Sequence, residues 1–334
     1  MLSKVVFFLK ALLPWTLEHG FLDIKMIKAV KEVLRWTYWK TAKVLEDHGL
    51  LDKIVEDYVK GPAYCYHKYN AEALDIVLDT LKEGGYISYT PVKLLKRPEK
   101  EPPPITVDYV REVIPVFDEV METLPDWLLR GEKKFLWLTK DSKALFLKFL
   151  ECSGYRKVRA YVVRWSSLSE FDEDKTIVDV GAGMGLSTVA LLQHTKSNVI
   201  AVDPDPTSIQ FAESYVKFLG LDVNRVKFIC CRGEDMVKHI DQEVDGFLMI
   251  NVMHWMDAPM TTLMNVRSLA KRDSKIVITQ VLADYHKAGV WIYLMGAHKP
   301  PTKREFFTLI KSAKFRVVKR TMFPMPTFVL KPVI

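Results

Sequence analysis

The chain has 334 residues, 49% of them apolar, and 48 Lys and Arg against 41 Asp and Glu, for a formal net charge of +7. That length and apolar content support two domains with sizeable cores. The basic balance raises nucleic acid as a partner, but the Lys and Arg are spread through the chain without an aromatic-interleaved basic block, so no nucleic acid is expected and a solvated basic surface is the reading adopted.

The N-terminal stretch Met1 to Trp15 is apolar, but Lys10 interrupts it and Pro14 ends it. It is shorter than the roughly 20 residues that span a bilayer. It reads as an amphipathic helix packing on a dimer partner, with attachment to a membrane surface as the alternative. Helical spacing follows over Trp36 to Val44, Leu50 to Val59 and Glu72 to Glu83, the last stopped by Gly84 and Gly85. Tyr86 to Tyr89 then looks like the first strand of a wing, so the region resembles a winged helix. Its third helix carries Glu72, Asp75, Asp79 and Glu83, which repel phosphate and favour dimerisation over DNA reading. Lys96 to Pro104 is too proline-rich for a helix or central strand and reads as a linker. Val107 to Leu124 and Ser142 to Tyr155 read as connecting helices. The expected organisation is a dimerisation domain over 1–104, connecting helices over 105–153 and a catalytic domain over 154–334.

Thr176 to Val180 has the length and β-branched composition of a buried parallel strand, and Leu186 to Gln193 resumes at helical spacing. Between them lie Gly181, Gly183 and Gly185, which can take positive φ and let bare backbone approach a ligand. A phosphate loop would need Lys followed by Ser or Thr after the last glycine, where this chain has Leu186 and Ser187. A dinucleotide fingerprint wants G-x-G-x-x-G rather than the G-x-G-x-G found here. Asn198 to Val202 is a second strand ending in Asp203, placed about twenty residues after the turn to bind both hydroxyls of a ribose. Pro204-Asp205-Pro206 stops it and starts a helix over Thr207 to Leu219. Arg225 to Cys230 is a third strand, leading to Glu234 and Asp235, either of which could accept a hydrogen bond from an adenine amino group. Val244 to Ile250 is a fourth, leading to Asn251 and His254. A helix near Pro259 to Ala270 precedes a fifth strand, Lys275 to Gln280.

Alternating strands and helices imply an α/β, doubly wound Rossmann-like sheet whose ligand crevice lies at the carboxyl ends of the strands. Asp179, the three glycines, Asp203, Glu234, Asp235 and Asn251 all fall at that edge. The four cysteines, Cys65, Cys152, Cys230 and Cys231, show no metal spacing. They are expected to be reduced and buried in a cytoplasmic protein, with no metal. Glutamine occurs only at Gln193, Gln210, Gln242 and Gln280 while Lys and Glu abound, which points to a heat-adapted source.

The chain resembles the class I S-adenosylmethionine-dependent methyltransferases, and more narrowly the small-molecule O-methyltransferases with a winged-helix dimerisation domain, over most of its length, strongly from Thr176 onward and loosely before it. The residues that carry the narrower likeness are Val290 to Pro300, Thr302-Lys-Arg-Glu-Phe306 and Ser312-Ala-Lys-Phe315, with Lys314 in place of the family's Gly. The resemblance implies S-adenosylmethionine as cofactor, a homodimer, and His254 as the base that deprotonates a hydroxyl. The family's two carboxylates that orient this histidine would fall at Gln280 and near Pro300, so both are missing here. A histidine without such an acid has no fixed tautomer, and His254 lining the pocket or sitting satisfied in the core are the other readings. The acceptor pocket would be built by Trp255, Met256, Trp291, Met295 and His298, with Met322 and Met325 near its rim. Met253, Met256, Met260 and Met264 also recur at near-helical spacing, which fits plain core. Asn251 is followed by Val252, without the two prolines and aromatic of enzymes that methylate exocyclic amino groups or glutamine amides. The expected activity is methyl transfer to oxygen of a small, partly apolar or aromatic molecule. N-, C- or protein methylation and a non-enzymatic cofactor-sensing role are the alternatives.

Overall fold

Strand β3, Thr176–Val180, is buried along almost its whole length and is the middle one of the five parallel strands in a seven-stranded sheet. The computed structural model describes residues 24–133, 140–284, 290–322 and 325–333, so the apolar stretch Met1 to Trp15 lies outside the described residues. Two units are distinguished: one spans Ser153–His286 and His298–Ile334, and the other spans Asp23–Cys152 and Lys287–Ala297.

In the first unit the strand order is β5-β4-β3-β6-β7-β9-β8, with β4 at Asn198–Asp203, β5 at Val226–Cys230, β6 at Val244–Ile250, β7 at Ala270–Thr279, β8 at Phe315–Thr321 and β9 at Thr327–Pro332. β5, β4, β3, β6 and β7 run parallel. β9 is antiparallel to both β7 and β8. The chain leaves β3 for β4 on one side and later returns to β6 on the other, so the order reverses beside β3, which is where α/β sheets open a ligand crevice. Val178, Val180, Ile200, Val202, Phe247, Met249, Ile276 and Ile278 fill the core against this sheet, each fully buried side chain of this kind adding roughly 1.5–3 kcal/mol. The expected strand Lys275 to Gln280 is the second half of a ten-residue β7, extended through its polar start by pairing with β6 across a shift at Val244/Gly246. Lys314, which stands where the resembling family has Gly, keeps a left-handed backbone with φ 59°.

The second unit is mostly helical. Its first helix, Ile24–Asp47, is far longer than the Trp36 to Val44 pattern, because Ala29, Val33, Trp36, Ala42, Val44 and Leu45 are all buried along it. Helices Leu51–Lys60, Pro62–Lys68 and Ala71–Glu83 follow, the last capped by Asn70, which accepts from the Ala73 N–H. An antiparallel hairpin of β1, Ile87–Tyr89, and β2, Val92–Leu94, comes next. The stretch Lys96 to Pro104, expected as a linker, lies against helices of the same unit. Arg97 pairs with Glu46 and Asp52, each at 3.0 Å, the Trp39 indole donates to the Glu99 carbonyl at 2.8 Å, and buried Glu32 accepts from the Thr106 and Val107 amides. The expected helix Val107 to Leu124 is two, Asp108–Met121 and Leu124–Arg130, and Ser142 to Tyr155 also divides, into Lys140–Leu150 and Ser153–Trp165. The unit is completed by a late return of the chain: in the short helix Val290–Leu294, Trp291 stacks on Phe117 with ring centroids 4.1 Å apart and Tyr293 stacks on Trp127. Cys65, Cys152 and Cys231 are buried as expected, whereas Cys230, at the exposed end of edge strand β5, is not. No helix among the described residues is long and apolar enough to cross a membrane, and no cluster of His, Cys, Asp or Glu among them could hold a metal.

Candidate cofactor and acceptor site

The turn after β3 holds its three glycines at φ 72°, 52° and 85° for Gly181, Gly183 and Gly185. They lack a side chain for two different reasons. A Cβ on Gly181 would lie 2.1 Å from Cγ2 of Val252, and one on Gly185 would lie 2.8 Å from Cβ of Ala212, so both are closed by packing. A Cβ on Gly183 would meet nothing within 4 Å. Main chain is therefore left open at the middle of the turn.

The carboxylate of Asp203, at the end of β4, accepts the Gly183 N–H at 2.8 Å through Oδ2 and the Asp205 N–H at 2.9 Å through Oδ1. It sets the turn against the second strand. Asp205 in turn caps the helix Pro206–Phe218 by accepting from Thr207 and Ser208. Asp179 lies beneath the turn, 1% exposed, where the Thr188 hydroxyl donates to it at 2.7 Å. Burial pushes its carboxyl up to about 7, reinforced by the negative charge of Asp203 and opposed by Thr188 and Arg159.

Glu234 and Asp235 share the turn Gly233–Lys238 after β5. Glu234 accepts the Ala258 N–H at 3.1 Å, whereas Asp235 pairs with Lys238 at 2.5 Å on the surface. Asn251 takes a left-handed backbone, φ 53°, at the end of β6. Its side chain accepts the Val281 N–H at 3.1 Å and donates to the Met325 sulfur at 3.7 Å, so it clasps the segment after β7.

Val252, which presses on Gly181, opens the segment Met253–Trp255. His254 is 5% exposed, and its Nδ1 lies 3.0 Å from Nε2 of Gln280. Burial pushes the imidazole down to about 4, so it is neutral at physiological pH. Trp255 beside it is 39% exposed, with ring centroids 5.6 Å apart. Met256 belongs instead to the core under the sheet with Met253, while Met264 is exposed, so the methionine stripe is core only in part. His298 donates its backbone N–H to the His254 carbonyl at 2.7 Å, and its ring sits 3.4 Å from Asp257, which also binds Arg232. His298 and Arg232 together hold the Asp257 carboxyl below its usual range. Trp291 and Met295 are buried in the helical unit. Gln280, fully buried just past the end of β7, is the residue against His254, visible in the sequence only as a missing carboxylate.

Residues 178–278 match the family model described as a methyltransferase domain. A ribosomal protein L11 methyltransferase from Marinomonas sp. (strain MWYL1) is 24% identical over 179 residues, 53% of this chain and 55% of that one, so the match spans about half the length of this curated relative. Among solved structures, the CurJ carbon methyltransferase aligns over 92% of both chains with a TM-score of 0.62 and 12% identity. The mitomycin 7-O-methyltransferase MmcR aligns over 67% of this chain and 68% of its own, with a TM-score of 0.46 and 17% identity. The sheet unit is a class I methyltransferase fold, and the chain carries an S-adenosylmethionine-dependent methyltransferase domain. S-adenosylmethionine fits the residues present: open main chain at Gly183, and the Asp203 carboxylate one strand away already set against that turn.

Proposed function

We propose that this chain transfers a methyl group to oxygen of a small, partly apolar molecule, as a cytoplasmic homodimer. The reading is carried by the contact between Val252 and Gly181, which ties the segment bearing His254 and Trp255 directly to the open glycine turn. Gly183 and Asp203 would hold the cofactor, with Glu234 or Asp235 at its adenine. S-adenosylmethionine supplies a methyl group on a positively charged sulfur that is its own leaving group. The protein has then mainly to place the acceptor, an effect that can reach roughly 7–11 kcal/mol. A half-exposed indole next to a buried imidazole offers an apolar wall with one polar group, suited to orienting an aromatic or partly apolar molecule.

The test uses cofactor labelled in its methyl group, the pure protein and a cell extract. Label in an organic-extractable small molecule is expected. Label in protein would replace the small acceptor by a polypeptide, and cofactor binding without transfer to any fraction would make the chain a sensor rather than an enzyme. Calorimetry should show heat with S-adenosylhomocysteine and none with NADH.

A further inference from the structure

We propose that Gln280 fixes His254 as the tautomer protonated on Nε2, so that His254 gives a hydrogen bond to the methyl acceptor and takes no proton from it, and that the acceptor is an acid already ionised at neutral pH, of the carboxylate class. This rests on the methyltransferase reading above.

The orientation of the Gln280 amide follows from its three partners. Its Oε1 accepts the Met253 N–H at 3.2 Å, and its Nε2 donates to the Val281 carbonyl at 3.0 Å. Turning the amide over would set two donors face to face at Met253 and two acceptors face to face at Val281. The remaining amide hydrogen then points at Nδ1 of His254, 3.0 Å away. An amide N–H can only donate, so Nδ1 must be the unprotonated nitrogen and the ring proton resides on Nε2. Gln280 is 0% exposed and His254 5%, so water does not relax this arrangement. Among the described residues none hydrogen-bonds Nε2, and it is not a sealed, unpartnered atom of the interior.

A base acting through Nε2 would need its proton moved to Nδ1, which the Gln280 amide blocks. Protonating both nitrogens is opposed as well: burial disfavours the imidazolium, and the Gln280 amide can donate to Nδ1 only while that nitrogen carries no proton. Asp257, the carboxylate on this segment, is engaged by His298 and Arg232 rather than by His254. Among the described residues of these two segments an alcohol therefore has no group to receive its proton. A carboxylate needs none. Its oxygen lone pair forms the new bond to the methyl carbon as the carbon–sulfur bond breaks, the electrons of that bond stay on sulfur as a neutral thioether, and no proton moves. Nε2–H meanwhile meets the second carboxylate oxygen as a donor. Gln280 is thus a positioning residue acting through His254.

The decisive measurement is two-bond 15N–1H correlation on the full-length protein labelled in histidine, with a His254→Asn variant for assignment. The expected result is an unprotonated Nδ1 and a protonated Nε2 on His254, unchanged from about pH 9 to about pH 5. A proton on Nδ1, or titration near neutrality, would overturn the proposal. Gln280→Glu should transfer the proton to Nδ1 and raise the titration of His254 toward neutral pH, which a merely space-filling Gln280 would not do. As acceptor probes, transfer of labelled methyl to benzoate with none to benzyl alcohol supports the carboxylate class, and methylation of benzyl alcohol refutes it. The tautomer is read without cofactor, so failure of the methyltransferase reading, seen as no calorimetric heat with S-adenosylhomocysteine, is distinguishable from failure of this one.

Discussion

Replacing the three turn glycines one at a time by alanine should separate Gly183 from the other two. Gly183→Ala adds a methyl group to open space, so its only structural cost is the left-handed backbone at φ 52°, about 1–2 kcal/mol. Gly181→Ala pays the same strain at φ 72° and also forces a carbon to within 2.1 Å of Val252 Cγ2. Overpacking of that kind adds about 1–3 kcal/mol. Gly185→Ala behaves like Gly181→Ala, because Ala212 belongs to the body of a helix and cannot retreat. Thermal unfolding should rank Gly183→Ala well above the other two, at about 2–4 °C per kcal/mol for a domain of this size. The double variant Gly181→Ala with Val252→Ala should unfold at a higher temperature than Gly181→Ala alone. Affinity for S-adenosylhomocysteine, measured by calorimetry, should show the opposite pattern for Gly183→Ala: a near-native fold with binding weakened at least about tenfold, or 1.4 kcal/mol. If Gly183→Ala binds that ligand as tightly as the parent does, the open main chain is not where the cofactor rests, and the assignment of the crevice is wrong.

Two further outcomes concern stability. Asp179 has a folded-state pKa raised from 3.8 to about 7 by burial, so the ligand-free protein should be most stable at mildly acidic pH and lose stability as pH rises between about 4 and 7; Asp179→Asn should flatten that dependence in thermal unfolding, and an unchanged slope would refute the burial argument. Lys314→Gly removes a left-handed non-glycine residue and should stabilise the fold by about 0.5–1 kcal/mol, checked by denaturant unfolding; a loss of stability would mean that the Lys314 side chain contributes more than its backbone strain costs.

The parallel strands and the glycine turn were legible because burial on both faces leaves a continuous β-branched run, and only a turn needing positive φ places glycines at alternate positions. Helix ends were less so. The pattern at Trp36 to Val44 shows one well-buried stretch, but the preceding turns of Ile24–Asp47 are stabilised by contacts such as Glu32 with the distant Thr106, which no local period records. Lys96 to Pro104 has a linker's composition, yet Arg97 finds two acids some fifty residues away in sequence. β9 was not anticipated: its antiparallel pairing with β7 depends on a partner nearly fifty residues earlier, joined also through the Thr279 and Thr327 hydroxyls at 3.0 Å. At the site, the position of Asp203 was readable from spacing. The conversation between Gln280 and His254 was not, because it is decided by which end of an amide faces which neighbour.

The excursion of Val290–Leu294 into the helical unit has a practical meaning for anyone cutting this gene. Phe117 and Trp127 find their stacking partners some 170 residues downstream, so translation must run past Leu294 before the helical unit can finish its interior. A fragment stopped at Cys152 would present two aromatic faces to water, and a fragment begun at Ser153 would carry an orphan helix with nowhere to bury its tryptophan. Exchange of acceptor modules between relatives of this architecture would therefore require two crossovers, one on each side of that helix, rather than a single splice.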